Sequence, residues 1–331
     1  MRAELVLRVA CGDAGIGERL QLVGKLVGPR RGRDMTLPTT VKLVDVTGDR
    51  PVDAAAGRAV ARAVFTEPAY WTPELPNLYR LEARVHCGDR TVAVYDEMIG
   101  LRRLGVRGRS LWLEGRRWVP RGLTIPKTGF DPQSLRSLSA AAVIDDPADE
   151  ICAVADQVGV AIIARLLDVD RRPLDASHAA ERIAAWSLHP SVVLAVLPRL
   201  ASDEQAAAIV TAARPLKGTM LIGLEVDGTQ PPDAVTGALV DMVDCLIVDL
   251  PGDSLPHDAW RSGGSWRTDR TLPDKPPIEK PLLAQRVVAT GTAAEHRQEC
   301  DQLQASLAAW GLARGAGQLP WDWAGYLSVA W

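Results

Sequence analysis

At 331 residues the chain has room for two domains, one of about a hundred residues and one near the lower size limit of a closed parallel barrel, about 200 residues. Its 38 basic and 41 acidic residues leave a formal charge of -3 and a pI near 6.0, which removes the electrostatic case for nucleic acid as the main partner. Hydrophobic residues make up 47% of the chain, yet no run reaches the ~18 apolar residues of a spanning helix.

The opening stretch, MRAELVLRVACGD, alternates with period two and reads as a strand rather than a signal peptide. A cytoplasmic, soluble chain is the expectation. From Arg2 to Leu104 short alternating runs (ELVLRVA, RLQLVGKLVG, TTVKLVDV, GRAVARAVFTE, LYRLEARVH, TVAVYDEMIG) are separated by Gly, Pro and Asp. Evenly spaced strands with turn signals predict an all-β sandwich. The basic patch RRGRD, Arg30 to Asp34, reads as a solvated loop.

After Gly122 apolar strand runs alternate with helical patterns, the signature of a parallel α/β domain. Eight strands are expected: Trp118–Leu123, Ala140–Ile144, Val160–Leu166, Val192–Leu197, Thr219–Leu224, Cys245–Leu250, Pro281–Gln285 and Gln318–Trp323. Helices are expected over Pro147–Val158, His178–Ser187, Ser202–Leu216 and Thr292–Arg314, each with one apolar face. Pro251–Lys280, rich in Pro, Gly, Asp and Trp, reads as a long loop over the carboxyl-end face of a barrel. The apolar end GYLSVAW reads as a segment that docks onto this barrel or a neighbour.

Three phrases carry a family resemblance. WTPELPNLY at Trp71–Tyr79, GLRRL at Gly100–Leu104 and LWLEGRRWVPRG at Leu111–Gly122 closely resemble the domain join of glycoside hydrolase family 2, the β-galactosidase and β-glucuronidase group. The resemblance implies an immunoglobulin-like sandwich over 1–104 followed by a compact (β/α)₈ TIM-type barrel over 105–331. It also implies that the sugar-binding jelly roll which precedes the sandwich in the family is missing here.

The same resemblance locates the chemistry. A retaining glycosidase needs two carboxyls about 5 Å apart, one as nucleophile and one as acid/base. The family's acid/base Glu ends the fourth barrel strand after an N-H-P-S turn, where this chain reads LHPSVVLAVLPRL and places Pro198-Arg199. The nucleophile Glu ends the seventh strand after K-P; this chain reads KPLLAQRVV and places Arg286 there. Arginine neither donates a proton at neutral pH nor attacks an anomeric carbon. The other sugar contacts of the pattern are absent from RGLTIPK, AAVIDDP and AIIARLL, while PADEICAVADQVGVAII keeps the scaffold, with Cys152, Asp156 and Gly159 in register.

Carboxylates remain near strand ends: Glu225 and Asp227, Asp249, Asp322, Asp168 and Asp170. A relocated pair such as Glu225 with Asp249, which adjacent strands bring within reach, would restore hydrolysis; solvated or ion-paired rim acids are the plainer reading. His189 in its LHPS turn reads as structural, and His178, His257 and His296 show no metal-ligand spacing. Five cysteines, Cys11, Cys87, Cys152, Cys245 and Cys300, read as reduced structural thiols; whether Cys11 and Cys87 pair stays open. Trp260, Trp266 and Trp331 are candidate interface residues.

The sequence therefore predicts a catalytically inactive relative of the family, acting as a structural or accessory subunit that binds another protein. It predicts no cofactor, no metal, no nucleic acid and no transmembrane segment. A non-hydrolytic carbohydrate-binding protein is the alternative, and a glycosidase with relocated carboxylates the third reading.

Overall fold

The computed structural model describes residues 2–10, 20–32, 34–48, 58–125, 129–229, 238–250, 279–312 and 323–330. The chain divides into two compact units, Met1–Leu101 and Arg102–Trp331.

The first unit is antiparallel: β1 (Ala3–Ala10), β2 (Leu20–Arg31), β3 (Asp34–Asp45), β4 (Arg58–Phe65), β5 (Leu78–Cys87) and β6 (Arg90–Ile99), in the order β1-β4-β3-β2-β5-β6. β3 pairs with β2 along most of its length but with β4 only at Val44↔Arg62 and Asp45↔Ala61. The sheet therefore folds over at that point into two layers. Period-two patterning fills the space between them. Leu22, Leu26, Leu43, Leu81 and Val85 from one layer meet Ala59, Ala61, Ala63 and Phe65 from the other, all buried. Gly24 allows β2 and β5 to approach closely, since a Cβ there would stand 2.2 Å from the Glu82 carbonyl oxygen.

The Trp71–Tyr79 phrase works as packing. Trp71 is fully buried and its N–H donates to Leu101 O at 2.6 Å. The Asn77 amide donates to Tyr70 O at 2.9 Å, and the Tyr79 hydroxyl accepts from Ala69 N at 2.9 Å.

The second unit opens with a small antiparallel sheet, β7 (Leu104–Arg107), β8 (Ser110–Leu113) and β9 (Arg116–Trp118). Eight parallel strands then close a barrel: β10 (Arg121–Thr124), β11 (Ala141–Asp145), β12 (Ile162–Arg165), β13 (Val192–Leu197), β14 (Leu221–Asp227), β15 (Cys245–Leu250), β16 (Leu282–Val287) and β17 (Trp323–Val329). The described helices around it are α1 (Pro132–Ser137), α2 (Asp149–Val158), α3 (Ala176–Trp186), α4 (Asp203–Ala213), α5 (Ala238–Met242) and α6 (Ala293–Leu312). Asp131, Asp175 and Ser202 cap the N-termini of α1, α3 and α4. Thr292 and Glu295 form a reciprocal capping box before α6, with Thr292 N to Glu295 Oε2 at 2.7 Å.

Side chains alternate between two environments along each barrel strand. One row, including Ile162, Ala164, Ile222, Leu224, Leu282 and Ala284, packs on the helices. The other fills the barrel: a Cβ on Gly223 would stand 2.5 Å from Ile247 Cδ1 and 3.3 Å from Leu194 Cδ1. The interior is a packed core rather than a pore.

The RRGRD patch, expected as a loop, is instead the tip of a hairpin: Arg30 and Arg31 end β2, Asp34 opens β3, and Gly32 turns between them at φ 51°. Two barrel-strand assignments also shift from the sequence expectation. The first barrel strand begins at Arg121, because Arg116–Trp118 pairs with β8 and Pro120, which has no N–H to donate, separates the two. The last strand is Trp323–Val329 instead of Gln318–Trp323. Residues 325–329 of the apolar end thus dock on this barrel, and Ala324 to Val329 are buried as its closing strand. Apolar residues on both faces are what a strand between two parallel neighbours requires. Trp260, Trp266, Trp331, Asp322, His257 and Cys11 lie outside the described residues.

Among the described residues, no helix is long and apolar enough to cross a membrane.

Candidate functional site: the carboxyl-end mouth of the barrel

Strand ends at the mouth bring together Asp145, Arg165, Arg199, Glu225, Asp227, Asp249 and Gln285. Arg165 closes β12, whose four residues are all buried. An arginine in so apolar a run has to meet a buried acid. It does: Arg165 Nε donates to Glu225 Oε1 at 2.9 Å and Nη2 to Oε2 at 3.1 Å. Its third nitrogen, Nη1, reaches Asp145 Oδ1 at 3.0 Å. The two side chains of the pair are each 6% exposed, so this is a desolvated two-point clamp.

Glu225 accepts further contacts. The Arg199 backbone N–H reaches Oε2 at 3.2 Å, and the Gln285 amide approaches Oε1 at 3.5 Å. Both carboxylate oxygens are engaged. Asp227 and Asp249 stand side by side in the ladder between β14 and β15. The Arg199 guanidinium lies between them, 3.6 Å from Asp227 and 3.9 Å from Asp249, with half of its side chain exposed. Burial is the main reason the Asp249 carboxyl sits above the usual carboxylate range; the nearby Glu225 charge adds to it and Arg199 opposes it. Asp227 is held below that range, chiefly by the Thr229 backbone N–H.

Arg199 lies two residues beyond the end of β13, after Pro198. Arg286 stands in the other row of β16, with Leu282 and Ala284, opposite Leu250 and Ser328 in the ladder. Ser328 bonds His296 of α6 at 2.9 Å, which marks that row as the helix-facing one. Arg286 is 9% exposed and its Nε has no hydrogen-bond partner among the described residues. The barrel-facing residue beside it is Gln285, which the sequence reading passed over. Glu225 and Asp249 are brought into one network, as adjacent strands require. Asp168 and Asp170 instead bind Arg172 in an exposed turn.

His189 lies at the opposite end of the barrel. Its Nδ1 meets Asp156 Oδ2 at 2.7 Å, and Asp156 also accepts from Ser191 N at 2.8 Å. Cys152, Cys245 and Cys300 are buried with their thiols pushed up by desolvation, Cys300 to about 12, so each stays protonated and inert. No group of three or more His, Cys, Asp or Glu among the described residues could hold a metal ion.

Comparison with known proteins agrees with this architecture. Residues 35–102 match the model of glycosyl hydrolases family 2. Over 99% of its length the chain resembles the β-glucuronidase of Bifidobacterium dentium complexed with coumarin-3-O-glucuronide, at 15% identity and a TM-score of 0.58. The β-glucuronidase of Dictyoglomus thermophilum is similar over 98% of the chain, at 15% identity and a TM-score of 0.57. That of Bacteroides uniformis is similar over 99%, at 12% identity and a TM-score of 0.58. The chain spans 56%, 59% and 43% of the lengths of these three. No curated protein sequence matches. The fold is that of glycosyl hydrolases family 2: an immunoglobulin-like antiparallel sandwich and a TIM-type barrel.

Proposed function

We propose that this chain uses the glycosyl hydrolase family 2 fold without hydrolysing glycosides, as an accessory subunit that binds another protein. The carrying observation is the clamp on Glu225. A nucleophile needs a free oxygen facing the sugar, and both oxygens of Glu225 are taken by Arg165, with both side chains buried. At the two positions where the family resemblance places catalytic glutamates stand Arg199 and, on β16, Arg286 with Gln285 beside it. None of these is a carboxylate.

A second reading, a hydrolase with relocated acids, draws on one observation: Asp249 is shifted toward the protonated form beside an ion-paired Glu225, the kind of contrast an acid and a nucleophile show. The two readings separate on p-nitrophenyl β-D-glucuronide and the matching galactoside. The accessory reading expects no turnover from the purified chain and a stoichiometric protein in mild co-purification. Turnover that disappears in both Glu225→Gln and Asp249→Asn would establish the hydrolase instead.

A further inference from the structure

The accessory reading needs a surface, and the fold of the first unit leaves one open. β3 and β4 pair at Val44↔Arg62 and Asp45↔Ala61 and then diverge. β3 is hydrogen-bonded to β2 on its other side, and β4 to β1 along its whole length. The edges facing each other, Thr39–Leu43 on β3 and Ala63–Phe65 on β4, therefore have no strand partner among the described residues. Between them lies a cavity of about 490 Å³, walled by Thr40, Lys42, Arg62, Val64 and Glu67 and floored by Phe65 and Tyr79. The floor rings meet edge to face, 5.1 Å between centroids.

From this geometry we infer that the slot takes an extended peptide segment of a partner protein, which adds as a strand to the open edge of β3. Three features select that occupant. Unpaired backbone donors and acceptors along an edge are satisfied by a strand and by no globular surface. The open stretch of β3 spans about 16 Å at ~3.3 Å per residue, enough for a short strand. Of the wall charges, Arg62 already meets Glu4 and Glu67 is acidic, which leaves Lys42, in the open stretch of β3, as the cation that favours an acid at the facing position of the occupant, while the aromatic floor favours alternate apolar side chains. Lys42 has no ion-pair partner among the described residues, and Arg62 has one exposed contact, Glu4 at 3.6 Å. The segment is thus acidic and apolar in alternation.

This inference rests on the accessory reading, and the test keeps the two apart. The probe is a fluorescein-labelled peptide of sequence TVEVTVE, titrated into the full chain by polarisation, with hydrogen exchange recorded on the complex. The controls are TVKVTVK and a TVEVTVE peptide N-methylated at alternate residues. Saturable binding of TVEVTVE is expected, with new protection at residues 39–43 and 63–65, roughly tenfold weaker for the Lys control and for Lys42→Glu/Arg62→Glu, and lost on N-methylation. Both substituted side chains are exposed, and circular dichroism of the variant confirms that it folds. No binding, equal binding of the Lys or N-methyl peptide, or protection elsewhere overturns the slot. So does protection of the same amides in the free chain, whether as a monomer whose own segment fills the slot or as a dimer. A partner that co-purifies equally well with the Lys42→Glu/Arg62→Glu variant overturns the slot and leaves the accessory reading standing.

Discussion

Arg165 and Glu225 meet across an intervening strand: one ends β12, the other lies on β14, and two parallel hydrogen bonds of 2.9 and 3.1 Å join them above β13. The link ties strands that share no ladder, at the carboxyl-end mouth of the barrel.

Breaking the pair from one side is expected to be expensive. Arg165→Met leaves Glu225 buried without its cation, and losing one partner of a buried ion pair costs about 3–5 kcal/mol. Arg165→Met/Glu225→Met replaces both by apolar groups and should regain most of that loss. Urea unfolding of both variants checks this; a single variant within ~1 kcal/mol of the parent would show that the clamp contributes little.

Much of this arrangement was legible in the sequence, and the misses have physical causes. Period-two runs located every sandwich strand, because one face of each is buried and the other wet. The barrel strands Val192–Leu197 and Cys245–Leu250 stand where their apolar runs do. The closing strand was misplaced because a strand buried on both faces has no alternation to register it, so GYLSV looked like a tail. Arg165 carries a different kind of signal: AIIARLL lacks the acids of the family pattern, but a lone arginine in an apolar run itself signals a buried acid. Which row of β16 faces the barrel depends on the pleat, and a one-residue difference exchanges Gln285 for Arg286.

The Asp249 shift gives a pH dependence with a definite sign. Its carboxyl is raised in the folded chain above its ordinary value of 3.8, so the folded state holds the proton more tightly than the unfolded one. Stability from this group is fully present below the unfolded value and is lost as pH rises through the folded one. Asp249→Asn removes the titration. The variant should gain stability relative to the parent as pH rises from the unfolded value through the folded one, and hold that gain at neutral pH, as read by thermal melts across that range. A gain at low pH alone would reverse the assignment.

Glycine at 223 is a requirement of the barrel interior. Gly223→Val places carbon where Ile247 Cδ1 already stands 2.5 Å and Cys245 Sγ 3.1 Å from a Cβ. Overpacking of this kind costs about 1–3 kcal/mol, occasionally more. The shorter Gly223→Ala meets the same Ile247 terminus, a rotatable side-chain end, and should fall at the lower edge. Denaturant midpoints at unchanged m-value decide between overpacking and a change of fold.

Arg102, the first residue of the second unit, makes the barrel's lower rim a single structure. It is 8% exposed, and its Nη1 donates to Pro190 O at 2.8 Å, to Val192 O and, at 3.4 Å, to His189 O, while Nε reaches Thr219 at 3.2 Å. These acceptors lie where β13 begins and just ahead of β14. Burial pushes the guanidinium down to about 10, which still leaves it charged at neutral pH. Arg102→Met fills much of the volume but abandons buried carbonyls, each worth about 1–3 kcal/mol when left unsatisfied; a loss of several kcal/mol is expected. Arg102→Lys keeps the charge and not the fork, so it should recover only part. Hydrogen exchange places the effect: amides of β13 and β14 should lose protection in Arg102→Met ahead of those in the sandwich. Uniform loss over both units would instead mean that Arg102 acts on the whole chain's stability rather than on the rim it binds.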